Sequence, residues 1–188
     1  MVVSRAAFAE PVQPCVLLLR AINIVRRNRV PMAGLREALS DLGRGEIRTY
    51  LQSGNVILEP IGSLEELPGL VEARVRDTFG VETAVLVRQA RELVPLLGSN
   101  PFVAAGRDEA SLHVTFLAAE PAAPEVPGDF GHDEVAVVGR EVYLYCPAGY
   151  ARSRLGNAYL ERVLGVAATT RNWRTVRSVA QMLGVSPP

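Results

Sequence analysis

The stretch FGVETAVLVRQARELVPLLG, residues 79–98, has a counterpart in LGVAATTRNWRTVRSVAQMLG, residues 164–184. In each stretch a glycine precedes a strand-like run and a helix-like run, and a second glycine ends the helix-like run. The first glycines of the two stretches are 85 residues apart, and the turn glycines Gly54 and Gly139 have the same separation. A spacing that recurs at two places indicates a duplicated supersecondary unit. We therefore predict two copies of one small α+β module, with a cleft between them.

The first module, residues 14–99, is predicted to have the order β-α-β-β-α-β with a trailing helix, which is the ferredoxin-like order. The apolar run over residues 15–22 indicates a buried strand, and residues 53–55 indicate the turn of a hairpin. The second module, residues 100–188, is predicted to follow the same order, except that a Pro-rich connection replaces its first helix. Residues 1–13 are expected to form a disordered or frayed tail.

The net charge of the 188-residue chain is zero, but its charges are segregated. Residues 20–50 contain seven arginines and three acidic residues, and residues 140–188 contain seven arginines and two acidic residues. Residues 51–139 instead contain five arginines and fourteen acidic residues. If the modules face each other, the two basic ends form one basic surface that favours an anionic partner. Otherwise the charges are solvated on separate faces.

Cys15 and Cys146 lie in apolar, strand-like runs, and we predict that both are free and buried. We find no secretory signal and no apolar run of membrane-spanning length. The expected location is therefore the cytoplasm, without a membrane partner. No spacing of cysteine, histidine and carboxylate residues indicates a metal site. The sequence identifies no cofactor and no oligomeric state.

Polar residues cluster where predicted strands and turns end, and they are the candidate ligand-binding residues. Asn172 is predicted to cap the last helix, so that Arg171 and the helix N–H groups form an anion site. Ser153, with an arginine on either side, is predicted to cap the preceding helix in the same way. The alternative is that these caps and arginines are purely structural. The full set of candidates is Arg20, Asn23, Gln52, Ser53, Asn55, Arg152, Ser153, Arg154, Arg171 and Asn172.

Arg20 is unusual because it follows an apolar run and needs a partner if it is buried. Glu46, Glu59 and an anionic ligand are the candidate partners. We expect several of the candidate residues to converge on one polar cleft, because ligand groups collect just beyond strand ends in open sheets. They are Arg20, Gln52, Asn55, Arg171 and Asn172.

Seven short runs occur in a fixed order between residues 17 and 176: LLLRAIN, VPMAGLREAL, RTYLQSGNVIL, NPF, LHVTFL, GREVYLY and TTRNWRTV. Together they resemble the bacterial family of uncharacterised proteins that carries the domain of unknown function 1697. The resemblance implies a two-module α+β fold and no established activity, substrate or cofactor. The chain departs from the family at residues 24–27, which are bulky and basic where relatives carry a glycine pair. It also carries Arg154 where relatives tend to carry lysine.

Three functions fit these residues. The first is the binding of a small anionic or phosphorylated ligand in the cleft between the modules. The second is single-stranded nucleic-acid binding through Arg-rich edges and a sheet face that carries Tyr143 and Tyr145. The third is a small transferase or hydrolase whose site assembles only in the folded chain. Neither cysteine has a neighbouring base in the sequence that would activate it as a nucleophile. The sequence leaves open whether the protein is an enzyme.

Overall fold

The computed structural model describes residues 13–24 and 27–185. The predicted tail, residues 1–13, lies outside these ranges except for its last residue, and so do two residues of the basic run 24–27. Among the described residues, no helix is long and apolar enough to cross a membrane.

The first half of the chain forms one antiparallel sheet with helices. Its elements are β1 (Cys15–Leu19), α1 (Met32–Ala38), β2 (Gly43–Tyr50), β3 (Asn55–Pro60), α2 (Leu67–Phe79), β4 (Val85–Gln89) and α3 (Ala90–Gly98). The strand order is β2-β3-β1-β4, and β1 is buried along its whole length, as its apolar run predicted. The strand ends at Leu19 rather than at residue 22, because the backbone turns into the left-handed region at Ala21 and Asn23.

The second half forms another antiparallel sheet with the strand order β6-β7-β5-β8. Its elements are α4 (Pro101–Ala104), β5 (Leu112–Leu117), β6 (Glu134–Val138), β7 (Glu141–Tyr145), α5 (Asn157–Leu164), β8 (Ala168–Asn172) and α6 (Trp173–Met182). The connection over residues 118–133 contains no helix, as its prolines predicted. The described residues thus form two four-stranded antiparallel sheets and six helices, which confirms the predicted α+β class.

The apolar residues that the structure describes form three clusters in the interior, and one of them belongs to both halves. This middle cluster takes Val16 and Leu18 from β1, Val114 and Phe116 from β5, and apolar residues of α3 and α6. The alternate residues of β1 face the other way and pack on α1 and α2. A third cluster covers the far side of the second sheet with α5. The halves therefore share a core.

Two of the repeated glycines end helices in the same way. Gly80 after α2 and Gly165 after α5 have φ angles of 66° and 71°, and each N–H donates to a carbonyl of the preceding turn. In this left-handed C-cap, glycine carries no steric cost. Asn172 begins α6 as predicted, because its side chain accepts a hydrogen bond from the Thr175 N–H at 2.8 Å.

The predicted helix cap at Ser153 is wrong. Helix α5 begins after Gly156, and the Ser153 hydroxyl instead accepts a hydrogen bond from the Leu155 N–H at 3.0 Å. Ser153 directly follows a single 3-10 turn, so it closes a local turn and not a helix.

Candidate functional site

Arg171 on β8 is buried between the two sheets and joins them. Its Nε donates to Asn55 Oδ1 at 2.6 Å, and its Nη2 donates to the carbonyls of Leu19 and Ser53 at 2.8 and 2.9 Å. Its Nη1 donates to two acceptors on β8 itself, at 2.8 and 2.9 Å. A guanidinium has five N–H groups, so each of them has an acceptor within the protein.

These acceptors are all neutral, which is unusual for a buried cation. Arg171 is 8% exposed, and burial lowers the pKa of Arg171 to about 10. The cavity that Asn55 and Arg171 help to line is about 10 Å³, close to the smallest space that holds one water molecule. In this conformation Asn55, Ser53 and Arg171 meet as a contact between sheets, and ligand binding by them stays a prediction.

A second buried arginine, Arg88 on β4, makes the reverse connection. Its Nε donates to Glu141 Oε1 at 2.8 Å, and its Nη2 donates to the carbonyls of Leu117 and Arg140 at 2.8 and 3.0 Å. The side chain is 1% exposed, and its guanidinium lies 5.5 Å from the centre of the Phe116 ring. Arg88 was not among the residues predicted from the sequence, although an arginine within an apolar strand signals a buried partner.

Arg20 is paired with a residue from the other half of the chain. Its Nε and Nη2 each donate to one carboxylate oxygen of Glu161 on α5, both at 2.6 Å. Glu161 Oε1 also accepts a hydrogen bond from the Ala168 N–H at 2.9 Å. The predicted partners Glu46 and Glu59 were wrong, because sequence reasoning considered only carboxylates of the first half.

An open hollow of about 380 Å³, which we call the loop depression, is lined by polar side chains. Among the residues that the structure describes, they are Asn23, Arg27, Arg29 and Gln52. Asn23 joins the two chain segments that form this depression, the loop that contains Val30 and the turn at Gln52. Its Nδ2 donates to the carbonyls of Val30 and Gln52 at 2.9 and 2.8 Å, and its Oδ1 accepts from the Val30 N–H at 2.8 Å. Two predicted site residues, Asn23 and Gln52, are therefore brought together here.

The backbone around the loop depression is strained. Among the described residues, the non-glycine residues with positive φ are Ala21, Asn23, Asn28 and Leu51, with angles between 52° and 59°. All of them lie in the two segments that form this depression. Left-handed backbone costs an L-residue about 1–2 kcal/mol, less for asparagine. Such strain clusters at functional sites, where surrounding contacts hold it in place.

Arg27 and Arg29 supply the positive charge of the loop depression. Both are exposed, and within the described part of the chain neither guanidinium has a hydrogen-bond or ion-pair partner. Neither arginine was among the predicted site residues: Arg27 stood out only as part of a basic run, and Arg29 did not stand out. An exposed arginine carries no local signal of a site, and only the folded loop shows that the two point into one hollow.

The remaining candidates lie elsewhere. Arg152 and Arg154 line a separate depression of about 300 Å³, which also contains Asp129 and Asp133. We call this depression the third hollow. Asn172 is exposed and caps α6. The structure thus divides seven of the candidate residues among the sheet contact, the loop depression and the third hollow, and Arg20, Ser153 and Asn172 make their contacts elsewhere. It does not gather the candidates in one open cleft.

Two comparisons with known proteins bear on the fold and the family. The solved structure of the conserved bacterial protein SP0830 from Streptococcus pneumoniae matches with a TM-score of 0.67 at 22% sequence identity, covering 92% of this chain and 98% of that one. A likeness at this identity concerns the fold alone. No curated protein matches the chain significantly. Residues 12–143, well over half of the chain, match the family model described as a protein of unknown function, and the chain therefore belongs to this family, DUF1697.

Proposed function

We propose that the protein binds a small anionic ligand, with phosphorylated molecules as the preferred class, at the loop depression. The observation that carries this proposal is the pair of unpartnered guanidiniums, Arg27 and Arg29, beside the amides of Asn23 and Gln52. Guanidiniums bind phosphate and carboxylate oxygens through charge-assisted, often bidentate hydrogen bonds. A hollow of about 380 Å³ is within the range of small-ligand sites.

The hydrogen bonds of Asn23 and Asn28 support binding because they hold the described residues of the loop depression in place before a ligand arrives. Asn23 joins the loop to the turn at Gln52, and Asn28 Nδ2 donates back to the Ala21 carbonyl at 2.8 Å. The strained backbone is thus stabilised by the folded protein itself. A preformed site loses less conformational entropy on binding than a loop that has to be ordered by its ligand.

The test is a calorimetric titration with inorganic pyrophosphate. The double variant Arg27→Gln/Arg29→Gln should weaken binding by about tenfold or more, since each charge-assisted hydrogen bond contributes about 1.5–3 kcal/mol. It should melt like the wild type, because both side chains are exposed and unpaired. The matched control is Arg152→Gln/Arg154→Gln, which removes the same charge from the third hollow. If only the control loses affinity, or if the wild type does not bind, the loop depression is not the site.

Single-stranded nucleic acid is the alternative partner, and the environment of its expected stacking residues argues against it. Tyr143 is buried, and its hydroxyl donates to the Leu96 carbonyl at 2.9 Å. Tyr145 packs on Phe102 and lies beneath the guanidinium of Arg107. Bases need an open aromatic face on which to stack. Tight, salt-dependent binding of a mixed oligonucleotide that survives excess pyrophosphate would instead favour this alternative.

We also propose that the halves, residues 14–99 and 100–188, are two copies of one ferredoxin-like module. The matching register of the strand pairs in the two sheets supports this proposal. Val16 on β1 lies opposite Arg88 on β4, and Val114 on β5 lies opposite Arg171 on β8. Glutamates of α2 and α5 likewise each accept a hydrogen bond from the first N–H of the following strand. Solved relatives in which only one half keeps this register would argue against duplication.

We place the protein in the cytoplasm. Both cysteines are free and buried, and free thiols are the usual state in a reducing compartment. Fractionation of cells that produce the protein would test this location.

A further inference from the structure

A surface pocket of about 430 Å³ lies where the end of α3, helix α4 and the start of α6 meet. We call it the indole pocket. Its lining combines apolar side chains, an ion pair and two buried polar residues; they include Leu97, Val103, Glu109, Arg177, Asn100 and Trp173. The loop depression shares none of these residues.

Asn100 and Trp173 each bring a buried N–H group that lacks an acceptor. They are 2% and 3% exposed, and among the described residues Asn100 Nδ2 and Trp173 Nε1 have no hydrogen-bond partner. Asn100 Oδ1 accepts a hydrogen bond from the Phe102 N–H at 3.0 Å, so the other amide atom is the nitrogen donor. Unpaired buried donors are rare in native proteins because they lose their hydration without compensation.

Both groups only donate, so their missing partner is an acceptor. A carboxylate offers two oxygens, and its charge suits the Arg177 guanidinium at the same pocket. The apolar side chains of Leu97 and Val103 suit a hydrocarbon chain better than a phosphate. We propose that the indole pocket binds a small carboxylic acid with an apolar tail, with its carboxylate between Asn100, Trp173 and Arg177.

Access to the two donors requires a small movement at the rim. Their N–H groups have almost no exposed surface, so a ligand oxygen reaches them only when a neighbouring side chain turns aside. Arg177 is bonded to Glu109 at 2.6 Å, and both side chains are about half exposed. Exposed ion pairs of this kind are weak. Arg177 can therefore exchange Glu109 for the ligand carboxylate at little cost.

Trp173 is the single tryptophan of the chain, so one indole N–H resonance reports on the pocket. The experiment is a nitrogen–proton NMR titration of the labelled protein with hexanoate, with hexanol and inorganic phosphate as controls. Hexanoate should move the indole resonance downfield in a saturable way, because its N–H gains a charged acceptor. Hexanol and phosphate should leave the resonance in place.

The variant Asn100→Asp keeps the oxygen that accepts from Phe102 but removes the NH2 donor and adds a repelling charge. It should weaken hexanoate binding by about tenfold or more, and Arg177→Gln should weaken it as well. The variant Arg27→Gln/Arg29→Gln should titrate like the wild type, which separates this proposal from binding at the loop depression. If hexanoate leaves the indole resonance in place, or if the Asn100→Asp and Arg177→Gln proteins bind it as tightly as the wild type, the proposal is wrong.

Discussion

Arg88 and Arg171 occupy matching positions in the two sheets, and each donates hydrogen bonds into the opposite sheet. Arg88 bonds the carbonyl of Leu117, which ends β5, and Arg171 bonds the carbonyl of Leu19, which ends β1. The Nε of each arginine bonds the first residue of the strand that follows the hairpin turn of the opposite sheet. The two halves are thus joined by one contact that is made twice, in opposite directions.

The two contacts differ in charge. Arg88 bonds the carboxylate of Glu141, whereas Arg171 bonds the amide of Asn55. Arg88 is therefore part of a buried ion pair, and Arg171 is a buried cation among neutral acceptors. Removing either arginine leaves buried acceptors unpaired, but only the loss of Arg88 also leaves a carboxylate without its partner.

Replacing Arg171 by lysine should lower the free energy of unfolding by about 2–4 kcal/mol. Lysine keeps the charge but has three donors in place of five, and each buried acceptor left unpaired costs about 1–3 kcal/mol. Urea unfolding measures the loss. Arg174→Lys, at an exposed position, is the control and should change stability by less than about 0.5 kcal/mol. An Arg171→Lys protein as stable as the wild type would favour the ligand-binding role predicted for Arg171.

Replacing Arg88 by methionine should cost about 3–5 kcal/mol, because it leaves the Glu141 carboxylate without its partner. The double variant Arg88→Met/Glu141→Gln removes that charge and should recover part of the loss. Urea unfolding of the two variants gives the comparison. A double variant less stable than Arg88→Met would show that the carboxylate is solvated and that the carbonyl bonds dominate.

The prediction that Cys15 and Cys146 are free and buried is confirmed. Burial raises the pKa of Cys15 to about 12, and burial also raises the pKa of Cys146. Both thiols therefore stay protonated at neutral pH, and we expect a bulky thiol reagent to label them only as fast as the protein unfolds. The labelling rate should rise with urea in parallel with unfolding. Fast labelling of both in the native protein would contradict this.

His113 should make the protein less stable in mild acid. Burial lowers the pKa of His113, whose ring stacks on Tyr150 with centres 4.9 Å apart, below its usual value of 6.5. As the pH falls through 6.5, the unfolded chain takes up a proton that the native state resists, so the free energy of unfolding falls. Urea unfolding at about pH 7.5 and about pH 5.5 measures the difference.

The variant His113→Phe should lose less stability over this interval than the wild type, because it has no proton to take up at that position. His132→Phe removes an exposed histidine and serves as the control. Equal losses in the wild type and in His113→Phe would mean that other groups govern the acid sensitivity.

Local features of this fold could be predicted from the sequence, because neighbouring residues decide them. Gly80 and Gly165 end helices where only the left-handed region closes the last turn. Asn172 caps α6 through an N–H three residues ahead. Helix α4 could have been predicted in the same way, since Asn100 followed by Pro101 is a helix-start signal that we overlooked.

The individual hydrogen bonds between the halves could not be predicted, although Arg171 and Asn55 were expected to lie in one cleft. Arg171 and Asn55 are 116 residues apart, and Arg20 and Glu161 are 141 residues apart. A sequence shows that a buried arginine needs acceptors, but it does not show which ones the fold brings near. The loop depression was equally hidden, because Arg29 becomes part of a site only through the left-handed backbone at the residues around it.

The middle cluster has a consequence for the synthesis of the protein. It combines β1 and α3 with β5 and α6, and 84 residues separate Gly98 at the end of α3 from Met182 at the end of α6. Ribosomes add about 5–20 residues per second, so roughly 4–17 s pass between the synthesis of the end of α3 and the synthesis of the end of α6. During that time the apolar inner face of the first sheet is open to water. A cell that makes this protein has to keep this face from aggregating until α6 has left the ribosome.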